Sequence, residues 1–419
     1  MSFFTSLTGL NAAVAELGVA SNNIANSNTT SFKRSEAKFS DIFASTVTTK
    51  ASTAFGSGVA LRGIAQQFSQ GGLQLSENVL DLAITGDGFF PMASTDGSAL
   101  YTRNGSFMLN EENQIVNDSG YTLQVHPLNL NGVSDFNQAM IPLVVDRNLA
   151  AQPTTVVNLD IKIPEDVDFI GTTNGAGDIL IDPSDATTFH AKQSLTLFDD
   201  AGEPFTADIY YQKVEESGII GGQTILTDNY RVAIHIDGNP VAASYVDYNF
   251  DQDGNPVNLQ EQIIPASPVD GRSQAITLNV TAVTHTKDFE IVDQTVDGSP
   301  EGKLVNINIE GDGSVMSTYS NGIQQLAGRI NLASFSAPQG LTQIGDTSYR
   351  ASGASGTLIH EQPGTSGLGT LVSGATERSN VDLTQELVNL ISAQRNFQSN
   401  AKAMETSGTL TQTLINMRG

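Results

Sequence analysis

The chain has 419 residues, more than one hydrophobic core usually organises, so two or more domains of ~100–200 residues are expected. With 39% apolar and 16% charged residues it lies in the folded range, and its net charge of -25, from forty-five acidic and twenty basic residues, argues against a nucleic-acid partner. The absence of cysteine removes disulfides, thiolate metal sites and cysteine nucleophiles together.

The N-terminus, MSFFTSLTGLNAAVAELG, has no Lys or Arg before its apolar residues and no unbroken apolar run. It resembles neither a secretory signal nor a membrane span, so neither a cleaved signal peptide nor membrane insertion is expected. Phe3, Leu7, Leu10, Val14, Leu17 and Ile24 follow steps of four and three, interrupted by Ser21, which predicts a heptad helix. Met1 to Thr30 carries one charge, Glu16, among small polar residues that tolerate close packing.

The middle is predicted to be mostly antiparallel β. Eleven Asn-Gly or Asp-Gly pairs, from Asp87-Gly88 to Asn321-Gly322, alternate with period-two stretches such as Arg231 to Asp237 and Lys303 to Glu310. In the first of these, Val232, Ile234 and Ile236 share one face, and His235 falls on the other, expected to be solvated. Residues 146–285 hold twenty-one acidic and six basic residues, a net -15 that suits an outer, inserted domain. Phe250 to Pro256, FDQDGNP, lacks the third oxygen ligand and the closing Glu of a calcium loop and reads as a turn.

Leu383, Leu387, Leu390, Phe397, Ala401, Met404 and Ile415 restore the four-three spacing, with Gln394, Gly408 and Thr411 as its polar or small members. Asp382 and Gln385 make a capping box, and a helix from there to Met417 spans about 54 Å. Amphipathic stripes most often pack on their own core. Here their place at the two ends, and their narrow seam, favour a stem built from both termini whose remaining seam is covered by neighbouring subunits. The predicted architecture is mainly β with α-helical termini, nested in four layers. They are a helical stem (1–30 and 380–419), connecting segments (31–70 and 365–379), an inner β domain (71–145 and 286–364) and an inserted outer β domain (146–285).

No catalytic, metal-ligating or cofactor-binding set emerges. The five histidines are scattered without a zinc spacing, the glycine-rich GTSGLGTL lacks the lysine of a phosphate loop, and Gly-x-Ser-x-Gly is absent. An enzyme is not expected.

Asn22 to Phe39, NNIANSNTTSFKRSEAKF, resembles the signature that follows the first helix of bacterial flagellar rod and hook proteins, with Asn22, Asn23, Asn26, Thr29, Thr30 and Phe32 as its matching positions. GGLQLSENVLDLAITGDGFF from Gly71, and YTRNGSF from Tyr101, are similar to the first strands of that group's inner domain. Ser379 to Met417 resembles its C-terminal helix, through Gln394-Arg395-Asn396-Phe397 and Asn400-Ala401-Lys402. DPSDATTF from Asp182 and LTLFDDAGEP from Leu195 resemble the insertion of flagellar hook proteins, and YSNGIQQLAGRINLASF resembles the return through the inner domain. Three departures are Ser31 where the family often has Gly, Val79 for a common Pro, and Pro91, expected to end or edge its strand.

The resemblance implies a structural subunit that polymerises into a short, curved tube acting as a universal joint and enclosing an export channel. Leu7, Leu10, Val14, Leu17, Ile24, Leu383, Leu387, Leu390, Phe397 and Met404 would pack subunits in the inner tube. Implied partners are further copies of the chain, the distal rod protein, the hook cap, the hook–filament junction proteins and the flagellar export apparatus, with an extracellular place at the flagellar basal body and hook. A distal rod protein is the nearest rival, disfavoured by the insertion. The architecture alone also allows a secreted β-rich carbohydrate-binding or hydrolytic protein.

Overall fold

The computed structural model describes residues 2–42, 56–129, 131–164, 167–170, 181–220, 223–241, 246–250, 256, 262–266, 275–286 and 288–416. They form a mainly β chain with one long helix at each end, α1 (Ser2–Ala25) and α2 (Leu383–Asn416). The chain divides into two compact units. Unit 1 comprises Met1–Arg147, Val305–Thr318 and Gln324–Gly419, and unit 2 comprises Asn148–Leu304 and Tyr319–Ile323.

Unit 1 is woven from both ends of the sequence. Leu73–Leu75 pairs with Ala375–Glu377, and Leu82–Thr85 pairs with Thr370–Ser373, both antiparallel. Segments 31–70 and 365–379, expected only to connect, thus carry strands, including the hairpin of Ser35–Asp41 with Val59–Gln66. The main sheet is ordered Thr342–Gly345, Ser348–Arg350, Ala99–Thr102, Phe90–Ala93, Thr122–Val125, Ile115–Asn117, Phe107–Leu109. Pro91 lies inside its strand, but the second neighbour pairs only from Met92 onward, so the missing donor falls where that ladder begins.

An aromatic cluster of Phe89, Tyr101, Phe335 and Tyr349 centres this unit, its rings packed edge to face at 4.8 to 6.0 Å. Beside it the rings of His126 and His360 lie 5.4 Å apart. Burial first, and then the neighbouring His126, pull His360 down to about 4.

Unit 2 holds two sheets around one core. The first is ordered Gln262–Ile264, Ile276–Thr286, Val156–Pro164, Glu290–Val296, and the second Ala191–Phe198, Pro204–Ile220, Gln223–Ile236, Asn239–Pro240. Alternate residues such as Leu195, Leu197, Val157, Leu159, Val232 and Ile234 point into it. Among the described strand pairs, Val156–Pro164 departs from the predicted antiparallel scheme by running parallel to Ile276–Thr286. The insertion also extends past residue 285 to Leu304, because Glu290–Val296 pairs back onto Val156–Pro164.

His235 is buried at 3% exposure, contrary to its expected solvated place. On the outer face of its strand Ala233, and Tyr210 of the neighbouring strand, pack with Ile181 and Phe189, and the Tyr210 ring lies 5.1 Å from the imidazole. A strand covered on both faces keeps period two in its chemistry but not in its exposure. The hairpin turn after it, Asp237-Gly238, has φ of +48° and +81°, the two left-handed residues of a tight hairpin. Residues 251–255, the body of the FDQDGNP turn, lie outside the described residues.

Candidate functional site: a helical stem and its buried clasp

α1 and α2 run antiparallel. Gly9 of α1 faces Asn400 of α2, where a Cβ would stand 2.6 Å from the Asn400 Oδ1, so a larger residue at position 9 would require the Asn400 amide to move. At the other end the Arg34 Nε lies 2.9 Å from Glu386 Oε1, and Asp382 Oδ1 caps α2 by accepting from the backbone N–H of Thr384 and Gln385. Gln385 completes no box; its amide donates to Asn389 instead.

The residues buried deepest in the pair are small or polar: Ala13 and Ala20 on α1, and Ala393 and Glu386 on α2. With the half-buried Leu390, Phe397, Asn400 and Met404, the α2 seam reads 386, 390, 393, 397, 400, 404, a strict four-three series. The predicted stripe shares its 390/397/404 column and is one residue out in the other. α1 behaves alike: Leu10, Leu17 and Ile24 are half-buried at the seam beside Ala13 and Ala20, with Leu7 half-buried at its edge. Val14 is 50% exposed, Leu383 47% and Leu387 44%, and Val388 and Ile391 are equally open. Phe3–Ala25 is long and apolar enough to cross a membrane by length and composition alone, a test that apolar helices of soluble proteins also pass.

Below the stem lies a buried clasp that sequence reasoning missed. The Lys33 ammonium donates to Glu377 Oε1 at 2.8 Å and to the Ser69 carbonyl at 2.9 Å; Gly71 N–H donates to the same carboxylate oxygen at 2.7 Å. Arg103 Nε donates to Glu377 Oε2 at 3.1 Å, and its NH2 group to the Gly86 carbonyl at 2.6 Å. Lys33, Arg103 and Glu377 are at most 2% exposed, two cations around one anion. Burial first, then Arg103, lower Lys33 to about 8 against the pull of Glu377.

The signature residues divide between this clasp and the stem. Asn23 is buried, and its side-chain amide exchanges two hydrogen bonds with the backbone of Ser35, both 2.9 Å, which fixes the exit from α1. Asn26 donates to the Asn22 carbonyl and accepts from Thr29, so Asn22, Asn26 and Thr29 shape the turn, with Thr30 half-buried and Phe32 buried after it. Asn380 accepts from Arg34 N–H at 2.7 Å and donates to the Gln67 and Ser69 carbonyls. Ser31, at φ +56°, takes the conformation a glycine adopts freely, and its hydroxyl donates to the Arg103 carbonyl at 2.9 Å. Gln394 and Arg395 are exposed on α2, away from the clasp.

This arrangement positions no reacting group; it fastens two chain ends and holds apolar side chains outward. Comparison with known proteins matches that reading along the chain. Residues 4–33 match the family model described as flagella basal body rod protein, and residues 372–417 the flagellar basal body rod FlgEFG protein C-terminal. Residues 83–181 match the flagellar hook protein FlgE/F/G D1 domain, and residues 166–348 the flagellar basal body protein FlaE D2 domain. The class is therefore an axial structural protein of the bacterial flagellum. The chain is 34% identical over 426 residues to the flagellar hook protein FlgE of Escherichia coli strain K12, covering 100% of both chains. It is 32% identical over 429 residues to that of Salmonella typhimurium, again covering 100% of both. The crystal structure of Helicobacter pylori flagellar hook protein FlgE2 shares the fold at TM-score 0.53 and 13% identity, covering 73% of this chain and 99% of that one. The chain belongs to the flagellar hook protein family, the structural subunits of the hook.

Proposed function

We propose that the chain polymerises into a short, curved, flexible tube that carries torque from the motor rod to the filament and encloses an export channel. The observation that carries this reading is the unsatisfied outer face of the stem. Leu383, Leu387, Val388 and Ile391 remain open on α2 although α1 already covers its seam. Exposed apolar area favours burial by about 25 cal/mol per Å2, and repetition around a lattice makes such a stem cohesive. The acidic unit 2, hydrated and like-charged, suits outer contacts that slide, so tube stiffness is expected to change with ionic strength.

In this reading the chain catalyses nothing. It leaves the cell through the flagellar export apparatus without a cleaved signal peptide. It meets the distal rod protein, the hook cap and the hook–filament junction proteins. The test is electron microscopy of flagellated cells labelled with antibody to residues 150–280. Label confined to a short curved segment between cell surface and filament is the expected result; label in the rod, along the filament or in the medium overturns it.

A further inference from the structure

An open groove of about 590 Å3 runs between α1, the hairpin of Ser35–Asp41 with Val59–Gln66, and the segment around Leu341. Its apolar wall of Ala15, Val19, Ile64, Phe68 and Leu341 is rimmed by uncharged polar residues, among them Asn22 and Gln66, and among the described residues no charged side chain lines it. Ile64 is 57% exposed there, and a Cβ on Gly18 would meet nothing within 4 Å. Phe68 stands edge-on to Phe89 and Tyr349, both at 5.4 Å, so the groove opens onto the rim of the aromatic cluster.

At the start of the same helix Phe3 and Phe4 stack edge to face at 5.9 Å with 43% and 69% of their surface exposed. Aromatic rings so placed at a chain end are strong anchors for a partner. Fourteen residues separate Phe4 from Gly18, about 21 Å of helix, so the chain cannot seat this pair in its own groove. A knob at one end of an element and a fitting groove at the other make a heterologous contact, which propagates as an open helical filament when its rotation does not close. No charged side chain lines the groove or lies within ten residues of Phe4 in the sequence, which favours a copy of this stretch over an acidic or basic partner.

We propose that the groove beside Gly18 receives the Phe3–Phe4 pair of a second copy of the chain, stacked head to tail along α1. This rests on the self-assembly reading above and names one of its contacts.

The chain has no cysteine, so single replacements report cleanly. Phe4→Cys and Ile64→Cys chains are mixed, assembled and mildly oxidised. A mixed disulfide confined to assembled tubes is expected, since such a bond needs Cα atoms within ~7 Å. Tubes that form without it overturn the contact. Failure of the unsubstituted full-length chain to form any tube overturns the self-assembly reading itself, and the contact with it. As a second arm, Gly18→Phe places a bulky ring on the groove wall, at a position where a Cβ would meet nothing within 4 Å. It is expected to leave thermal unfolding unchanged and to raise the concentration needed for assembly roughly tenfold or more; unchanged assembly overturns the proposal.

Discussion

In unit 2, Val157, Leu159, Ile161, Leu195, Val232 and Ile234 converge on one core closed by its own two sheets. In the stem, Ala13, Ala20 and Ala393 occupy the contact between α1 and α2, while Val14, Leu383, Leu387 and Ile391 face outward. Unit 2 closes a core of its own although Ile263, Ile291 and Val292 stay exposed on it, whereas the stem makes its closest contact through small residues and leaves a row of large ones for something else to cover. An element read in isolation can therefore look poorly packed when its packing partner is another molecule.

The sharpest way to break this comparison is to charge the outward face. Leu387→Asp is expected to abolish tube formation in electron micrographs while shifting monomer unfolding by less than about 1 kcal/mol, since the site is exposed. Leu390→Asp or Phe397→Asp, on the inward seam, should also prevent tubes but loosen the pairing of α1 with α2. If Leu387→Asp chains still assembled, the outward face would not be an interface.

Next in size is the clasp. Glu377→Ala leaves Lys33 and Arg103 buried without their shared anion, a loss of about 3–5 kcal/mol. Denaturant unfolding followed separately in the two units should show unit 1 shifted and unit 2 unmoved; equal shifts would mean that the units do not fold independently.

A smaller effect is read through acidity. His360 has a folded value near 4 against an ordinary value of 6.5, so between those pH values the unfolded chain binds the extra proton. Stability of unit 1 should fall as pH drops through that window, by on the order of 1–2 kcal/mol, and be restored as pH rises. In His360→Gln chains this portion of the pH dependence should vanish; a persisting slope would assign it to other groups.

The smallest effect concerns Ser31. Ser31→Ala removes the hydroxyl bond to Arg103 without easing the left-handed backbone, and is expected to cost about 1–2 kcal/mol in thermal unfolding. Ser31→Gly eases the backbone as it loses the bond, so it should fall within about 1 kcal/mol of the parent.

How far these features were legible depended on range. The terminal helices and the β middle follow from period alone, because heptad and alternating patterns are local. One column of each predicted stripe lies in the seam within the chain and the other is largely exposed, since a pattern search ranks Leu387 above Ala393 and Val14 above Ala13. The deepest positions of the pair are instead filled by small residues, Ala13, Ala20 and Ala393. The Asp346-Thr347 turn, with both φ near +50°, escaped notice because it lacks the glycine that marks its kind. His235 was misplaced because exposure on a strand depends on what covers the other face. The clasp left no local trace: Lys33 and Glu377 are 344 residues apart, although a lone Lys33-Arg34 pair after thirty nearly uncharged residues was a visible hint.

That separation sets an order of events. Leu73–Leu75 and Leu82–Thr85 wait for strands supplied by residues 370–377, and Lys33 waits for Glu377. Unit 2, complete within Asn148–Leu304 and Tyr319–Ile323, has every partner it needs earlier in a chain emerging from its N-terminus. Unit 1 cannot close, and the stem cannot be anchored, until nearly the last fifty residues arrive. The clasp thus acts as a completeness check: a truncated chain could finish unit 2 and still lack the closed unit 1 that holds its stem.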